Sequence, residues 1–154
     1  MTAVLSVGSN LGDRLAHLRL AVEVLEPYAV SPVYETAPVG GVEQDDFLNA
    51  VLLCALDATA AWTLAQRAEA AAQRRREVRW GPRTLDVDVV LADGPVPEEL
   101  VVPHPRAHER AFVLLPWSVL DPEAVLPAHG PVARLLDGLD TTGVRRRDDL
   151  VLRP

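Results

Sequence analysis

The segment Leu85–Leu91 constrains the fold most, because apolar side chains alternate in it with aspartates. Successive side chains of a strand point to opposite faces, so Leu85 and the valines that follow it at every second position share one face. Asp86 and Asp88 then share the other face. Such a strand is typical of an antiparallel sheet with one face buried against helices and the other face left for ligands.

The rest of the chain supplies partners for this strand. Hydrophobic periodicity and turn residues predict three further strands, at 3–7, 29–34 and 47–56, and two long helices, one between Asp13 and Pro27 and one from a Thr59 cap to about residue 76. Two short helices are predicted at 110–115 and 132–139. The order strand, helix, strand, strand, helix, strand predicts a ferredoxin-like α+β sandwich, an antiparallel sheet with helices mainly on one face. We expect one domain over residues 1–154.

The charge pattern excludes several classes of function. All 15 basic residues are arginine, so the chain has neither a P-loop lysine nor a lysine for a Schiff base. The net charge of −7 argues against general binding to a nucleic-acid backbone. Positive charge is concentrated between Arg67 and Arg83. A local basic site on an acidic chain suits a small polyanion.

Cysteine and hydropathy indicate the cellular setting. Because Cys54 is the single cysteine, no disulfide forms within the chain. It lies in an apolar run and is interpreted as a core residue. No apolar run reaches the ~18 residues that a membrane span needs, and the sequence after Met1 lacks a basic leader. We expect a soluble, cytoplasmic protein.

The segment Arg74–Asp88 carries the clearest chemistry. It places five arginines and Trp80 ahead of Asp86 and Asp88. Arginine forks bind phosphate oxygens, and paired carboxylates hold hard divalent metals such as Mg²⁺. On a strand, the two aspartate Cα atoms are separated by roughly 6.5–7 Å. The segment predicts phosphoryl or pyrophosphoryl transfer, although a solvated strand face is the alternative for an Asp-x-Asp pair alone.

Two aromatic positions indicate a flat ligand. Phe47 and Asn49 share a strand face, and an aromatic ring beside a carboxamide suits a hydrogen-bonding heterocycle. Trp80, between a glycine-proline turn and arginines, could stack on a heterocycle or anchor a closing loop. Ordinary core packing is the alternative at each of these positions.

Two loops are candidate phosphate sites. His104 lies between two prolines and, with Arg110, is interpreted as a phosphate contact; the spacing around it matches no usual zinc pattern. The loop Gly8–Gly12 could hold phosphate at a helix N-terminus, or could simply form a tight turn.

Together these motifs resemble the 6-hydroxymethyl-7,8-dihydropterin pyrophosphokinases of folate biosynthesis. The resemblance rests on five segments in the family's order: Gly8–Gly12, Tyr34–Gly40, Phe47–Ala50, Arg79–Asp88 and Val102–Arg106. It implies a diphosphotransferase that moves the β,γ-pyrophosphoryl unit of ATP to the hydroxymethyl group of a reduced pterin and releases AMP. It also implies two Mg²⁺ ions, ATP as co-substrate and no enzyme nucleophile.

The resemblance also implies roles for individual residues. The two Mg²⁺ ions would be held by Asp86 and Asp88. The catalytic set is Arg74, Arg76, Arg83, Asp86 and Asp88. The ATP contacts are Arg74, Arg76, Trp80, Arg83, His104 and Arg110. The pterin contacts are Thr36, Ala37, Val39, Phe47, Asn49, Trp80 and Phe112. Which of the arginines 74–76 contacts phosphate is left open, as is whether Asp88 or solvent takes the hydroxyl proton.

Two other functions remain as alternatives. A ferredoxin-like RNA-binding module would use the arginine-rich helix end, but it would normally stack bases on sheet aromatics, which are few here. A two-metal phosphohydrolase would release phosphate without a pterin. We expect ATP and a reduced pterin as the ligands of a monomer that binds neither nucleic acid nor membrane.

Overall fold

The computed structural model describes residues 1–38, 45–74 and 84–153, with only the backbone of Arg74. Its strands are β1 Ala3–Ser9, β2 Ala29–Val30, β3 Tyr34–Thr36, β4 Phe47–Cys54, β5 Asp86–Ala92, β6 Val125–Leu126, β7 Gly130–Pro131 and β8 Val144–Arg146. Its helices are α1 Arg14–Leu25, α2 Ala58–Arg74, α3 Ala111–Leu120 and α4 Val132–Asp137, with a 3₁₀ turn at Ala107–Glu109.

The main sheet has the predicted connectivity. Its order is β5-β1-β4-β3-β8, every pair along this path is antiparallel, and β2 pairs with β4 beside β3. The first four strands in this order, with α1 and α2 between them in the chain, form the ferredoxin-like arrangement. The predicted fold class is therefore confirmed.

Helices cover the two faces of the sheet unequally. Helices α1 and α2 pack on one face, in a core where Leu5, Leu18 and Leu52 are fully buried. Helix α3 packs on part of the other face, where Val51 of β4 and Trp117 join a second buried cluster. Burying each such side chain contributes roughly 1.5–3 kcal/mol. Because side chains alternate along β4, Asn49 shares the face of Val51 that α3 only partly covers.

Local structure departs from the sequence prediction at the second strand. The predicted strand 29–34 is two short strands, with Ser31–Val33 between them. Pro32 has no N–H to donate to a ladder. The Ser31 hydroxyl instead accepts a hydrogen bond from Val51 N at 2.9 Å and donates to the Pro32 carbonyl at 2.8 Å. The Ser31 side chain therefore replaces one backbone acceptor, while Ser31 N still donates to the Val51 carbonyl at 2.9 Å.

The predicted cap of the second helix was wrong. Helix α2 begins at Ala58, and the Asp57 carboxylate accepts a hydrogen bond from Ala60 N at 2.8 Å. Asp57, two residues earlier than expected, therefore takes the role assigned to Thr59. The predicted Asp13 cap of α1 is confirmed, since its carboxylate accepts from Ala16 N at 3.1 Å.

Helix α3 is longer than the predicted 110–115. It continues through Pro116 to Leu120, because Val113, Leu114 and Trp117 bury an apolar face against the sheet. That burial outweighs the one backbone hydrogen bond that a proline removes.

The remaining expectations concern the membrane and the cysteine. Within the described ranges, no helix has both the length and the apolarity to cross a bilayer. Cys54 is fully buried on β4, and burial raises the pKa of its thiol to about 11. The thiol therefore stays protonated and packs as a small core side chain, as predicted.

Candidate active site

A cavity of about 310 Å³ lies on the partly covered face of the sheet. Strands β1, β3, β4 and β5 form its floor and side, and the start of α3 closes it. Its lining residues are Ser6, Gly8, Thr36, Ala37, Pro38, Phe47, Asn49, Asp86, Asp88, Arg110 and Phe112. The volume lies at the small end of the range of ligand pockets.

The register of the sheet brings the predicted groups together. Gly8 of β1 pairs with Asn49 on β4 and with Asp86 on β5, while Ser6 pairs with Asp88. Neighbouring strands lie 4.7–4.9 Å apart, so the Cα atoms of Asn49 and Asp86 are separated by roughly 10 Å. The carboxamide and the first carboxylate thus lie on either side of a residue without a side chain. This arrangement can hold a ring on the side of the carboxamide and a metal ion on the side of the carboxylate.

Asp86 and Asp88 share the sheet face that their spacing predicts. The Asp88 carboxylate is 43% exposed, and its Oδ2 lies 3.6 Å from Nη1 of Arg110, which is at the N-cap position of α3. Between the two aspartates, Val87 N donates a hydrogen bond to the Glu69 carboxylate of α2 at 2.9 Å. Helix α2 therefore holds the strand that carries both carboxylates.

Arg110 also borders the aromatic wall of the cavity. Its guanidinium carbon lies 5.6 Å from the centre of the Phe112 ring, within the range of a cation–π contact. Phe112 and Phe47 both line the cavity. One cation therefore contacts both the acidic and the aromatic parts of the site.

His104 lies beside this site but does not line the cavity. Its backbone N donates to the Val90 carbonyl at 2.8 Å, and its Nδ1 accepts from Arg106 N at 3.1 Å. Burial lowers the pKa of the imidazole, Asp88 opposes this, and Arg110 and Arg106 add to it. A neutral ring with Nδ1 as acceptor carries its proton on Nε2. His104 can therefore donate one hydrogen bond to an anion.

The buried amide of Asn49 is hydrogen-bonded. Its Nδ2 donates to Thr36 Oγ1 at 2.8 Å, and Asn49 is only 3% exposed. Thr36 and Ala37, which the resemblance assigns to the pterin site, line the same cavity. The polar group that would contact a flat ligand thus has a neighbour that fixes it.

The contacts of the loop Gly8–Gly12 with other described residues are structural. The Ser9 hydroxyl donates to the Thr84 carbonyl at 2.5 Å, which connects the end of β1 to the start of β5. The α1 N-terminus is already capped by the Asp13 carboxylate. These contacts favour the tight-turn interpretation of Gly8–Gly12 over a phosphate loop.

Several predicted residues lie outside the described residues. They are Val39, Arg76, Trp80 and Arg83, together with the side chain of Arg74. The grouping of the arginines with the aspartates therefore stays a prediction.

Sequence reasoning missed Ser6 and Glu69, and it placed Gly8 in a candidate phosphate loop, not on the floor of this cavity. Ser6 and Gly8 line the cavity, and Glu69 supports β5. Alternation along β1 would have placed Ser6 and Gly8 on one face, but only the pairing register sets them opposite the aspartates. Nothing in the α2 sequence distinguishes Glu69 from a surface glutamate.

The two aspartates suit a hard cation. Their carboxylates supply the oxygen ligands that Mg²⁺ prefers, on one face of a strand and open to solvent at Asp88. Among residues 1–38, 45–74 and 84–153, no group of three or more His, Cys, Asp or Glu side chains is arranged to hold a metal. Magnesium here would therefore take its remaining ligands from water and phosphate, as is usual for this ion.

Comparison with known proteins identifies the family. The family model for 7,8-dihydro-6-hydroxymethylpterin-pyrophosphokinase (HPPK) matches residues 4–122, which include every residue that lines the cavity. The 2-amino-4-hydroxy-6-hydroxymethyldihydropteridine pyrophosphokinase of Mycobacterium tuberculosis (strain H37Rv) is 50% identical over 157 residues, covering 89% of this chain and 83% of that protein. The Bacillus subtilis enzyme of the same name is 44% identical, with 75% of each chain covered.

A solved structure agrees on the fold. The crystal structure of Plasmodium falciparum HPPK-DHPS matches with a TM-score of 0.67 over 89% of this chain and 45% of that one. At 13% identity this likeness shows the fold alone. The family match and the closely similar relatives carry the assignment: the chain belongs to the HPPK family, whose members transfer pyrophosphate from ATP to 6-hydroxymethyl-7,8-dihydropterin in folate biosynthesis.

Proposed function

We propose that the cavity binds the reduced pterin ring and that the exposed face of β5 binds the phosphates of ATP, so that pyrophosphate passes between them. The observation that carries this proposal is the register of the sheet. Asn49 and Asp86 flank Gly8, with roughly 10 Å between their Cα atoms. A ring held at Asn49 therefore extends its substituent toward phosphates held at Asp86 and Asp88.

The pterin side of the site combines aromatic surface with a few polar groups. Phe47 and Phe112 offer ring faces for stacking, and the Asn49 amide pairs with the polar edge of the ring. We assign further pterin contacts to backbone groups of Thr36, Ala37 and Val39. This composition is usual for sites that recognise small heterocycles.

The ATP side of the site carries both acidic and basic side chains. Asp86 and Asp88 would hold two Mg²⁺ ions, which neutralise phosphate charge and fix the triphosphate when bound. His104 donates through Nε2, and Arg110 supplies a guanidinium next to Asp88. We assign further phosphate contacts to Arg74, Arg76 and Arg83 and a covering role to Trp80.

The reaction needs positioning more than covalent catalysis. The hydroxymethyl oxygen of the pterin attacks the β-phosphorus of ATP, the new O–P bond forms, and the bond from the β-phosphorus to the bridging oxygen of AMP breaks. The hydroxyl proton passes to Asp88 or to water. The protein aligns the two substrates and stabilises the charge that spreads over the phosphate oxygens.

The products of a single incubation test the proposal. Purified protein with ATP, Mg²⁺ and 6-hydroxymethyl-7,8-dihydropterin should give AMP and the pterin diphosphate in equal amounts. The control omits the pterin and should give no AMP. Production of ADP would indicate transfer of a single phosphoryl group, and phosphate release without pterin would indicate a phosphohydrolase; either result contradicts the proposal.

We propose further that the chain acts as a single-domain monomer in the cytoplasm, without nucleic-acid or membrane partners. Its net charge of −7 supports the expectation on nucleic acid, because backbone binding requires positive charge. Light scattering after size-exclusion chromatography measures the oligomeric state directly.

A further inference from the structure

The Asn49 amide is held at both of its ends. At one end, Nδ2 donates to the Thr36 hydroxyl at 2.8 Å, and Thr36 is itself only 7% exposed. At the other end, Oδ1 lies against Gly8: a Cβ built on this glycine would be 2.9 Å from that oxygen. Real Cβ atoms essentially never approach this closely, so the amide uses space that only glycine provides.

This clamp leaves defined groups for a ligand. The amide has two N–H donors and a carbonyl acceptor, and Thr36 uses one of the donors. Without the Thr36 hydroxyl, the terminal torsion of asparagine has a broad energy profile and the amide plane can turn. Binding would then have to fix that torsion, which costs affinity.

We infer that Thr36, through its side-chain hydroxyl, and Gly8, through its missing side chain, are positioning residues that fix the Asn49 amide for recognition of a ring edge with adjacent donor and acceptor groups. This inference rests on the proposed function, because it takes the pterin as the occupant of the cavity. The proposed function gives Thr36 only a backbone contact with the pterin. The inference adds a role for its side-chain hydroxyl, which acts by positioning Asn49.

The first test separates the hydroxyl from the shape of the side chain. Thr36→Val removes the hydroxyl at nearly constant volume, and Thr36→Ser keeps the hydroxyl. Calorimetry measures the Kd of 6-hydroxymethylpterin with Mg²⁺ and α,β-methylene-ATP present, an analogue whose scissile bridge cannot be cleaved. Thr36→Val should raise this Kd about 5–10-fold, the usual effect of one hydrogen bond, and Thr36→Ser should regain most of the affinity. An unchanged Kd in Thr36→Val overturns the role of the hydroxyl.

A matched control distinguishes positioning from general weakening of the sheet. Ser31→Ala removes another buried hydroxyl of the same sheet, one that accepts from Val51 N at 2.9 Å. This variant should unfold at a lower temperature and bind the pterin with unchanged Kd. If Ser31→Ala weakens binding as much as Thr36→Val, the loss is structural and the inference fails.

A double-mutant cycle tests whether Thr36 acts through Asn49. On an Asn49→Ala background, Thr36→Val should change the Kd by less than about twofold, since no amide remains to be positioned. If the two effects multiply instead, Thr36 contributes independently and the inference is overturned. If the wild-type chain binds no pterin, the proposed function itself is contradicted. If the wild type binds the pterin and Thr36→Val has the same Kd, only the inference is contradicted.

Gly8→Ala tests the other end of the clamp. The added methyl should displace the Asn49 oxygen and raise the Kd of the pterin at least as much as Thr36→Val does. Circular dichroism and thermal melting show whether the variant folds. A folded Gly8→Ala variant with the wild-type Kd would exclude Gly8 from the clamp, and an unfolded one leaves the decision to the Thr36 variants.

Discussion

At the scale of single residues, Arg110 connects the two halves of the cavity. Its guanidinium lies 3.6 Å from Asp88 Oδ2 and 5.6 Å from the centre of the Phe112 ring. Asp88 and Arg110 were predicted from the sequence pattern, and Phe112 was implied by the resemblance to the family. The sequence could not predict their contacts, because these depend on where α3 begins relative to β5.

For Asp88, we expect Asp88→Asn to retain the fold and to lower pyrophosphate transfer at least about 10³-fold, or ~4 kcal/mol. The side chain is 43% exposed, so the substitution costs little stability, but the neutral amide binds Mg²⁺ weakly. AMP production and a thermal melt measure the two effects. Transfer near the wild-type rate in the folded variant would refute the metal role.

For Arg110, we expect Arg110→Met to lower the rate of transfer about 10²-fold, since the proposed role of its charge is to stabilise phosphate oxygens. Methionine preserves much of the apolar packing against Phe112. The Kd of the pterin should therefore rise only a few-fold. Steady-state rates and calorimetry on the same preparation compare the effects, and a loss confined to pterin affinity would contradict a phosphate role.

At the scale of elements, β8 was absent from the sequence prediction. The sequence pattern assigned no element to this segment, but Val144–Arg146 pairs antiparallel with Tyr34–Thr36 and extends the sheet beside β3. Glu35 of β3 holds this strand and the residue after it: its carboxylate lies 3.4 Å from Arg145 and 2.9 Å from Arg147. On its other side the carboxylate lies 2.6 Å from Arg14. No periodic pattern predicts a strand that is recruited by one acid far away in the chain.

This ion cluster predicts a pH dependence. The hydrogen bond from Arg14, opposed by burial and reinforced by Arg147, lowers the pKa of Glu35 below its ordinary 4.5. The ionised form is therefore favoured in the folded state. Its contribution to stability is complete above pH 4.5 and is lost as the pH falls below that value through the folded-state pKa.

We expect Glu35→Gln to lower the free energy of unfolding by about 2 kcal/mol at pH 7, the range of hydrogen bonds to charged groups. Between pH 5 and pH 3 the variant should lose less stability than the wild type. Urea unfolding at each pH measures this, with Glu23→Gln, at an exposed glutamate of α1, as the matched control. Parallel losses in the wild type and Glu35→Gln would rule out the assignment.

The corrected helix cap gives a second prediction at this scale. Asp57→Ala should destabilise the chain by about 1 kcal/mol, since it removes the acceptor of Ala60 N. Thr59→Ala, at the position that the sequence favoured, should change the free energy of unfolding much less. Chemical denaturation of both variants decides between the two caps; an equal loss would argue against Asp57.

At the scale of the whole molecule, the fold was predictable and the site only partly so. The ferredoxin-like order followed from periodicity and turn residues such as Gly12 and Pro27, since these act locally. The face of the sheet that stays open depends instead on α3, whose continuation past Pro116 the local rules opposed. Tertiary packing decided that point, and with it the position of the cavity.

Ligand linkage gives a prediction for the molecule as a whole. With Mg²⁺ and α,β-methylene-ATP present, 6-hydroxymethylpterin at about 100 times its Kd should raise the free energy of unfolding by ~2.7 kcal/mol. Chelation of Mg²⁺ should remove most of this gain. Thermal melts with and without chelator measure it, and a pterin-dependent gain that survives chelation would separate pterin binding from the metal site.

The clamp at Gly8 bears on how this enzyme could be inhibited. Any substitution there adds a Cβ toward Asn49, and Gly8 also pairs with Asp86 across the sheet. A compound that rests on the bare backbone at this position would leave few routes to resistance, because a mutation that blocks the compound would also disturb the amide proposed to recognise the natural substrate.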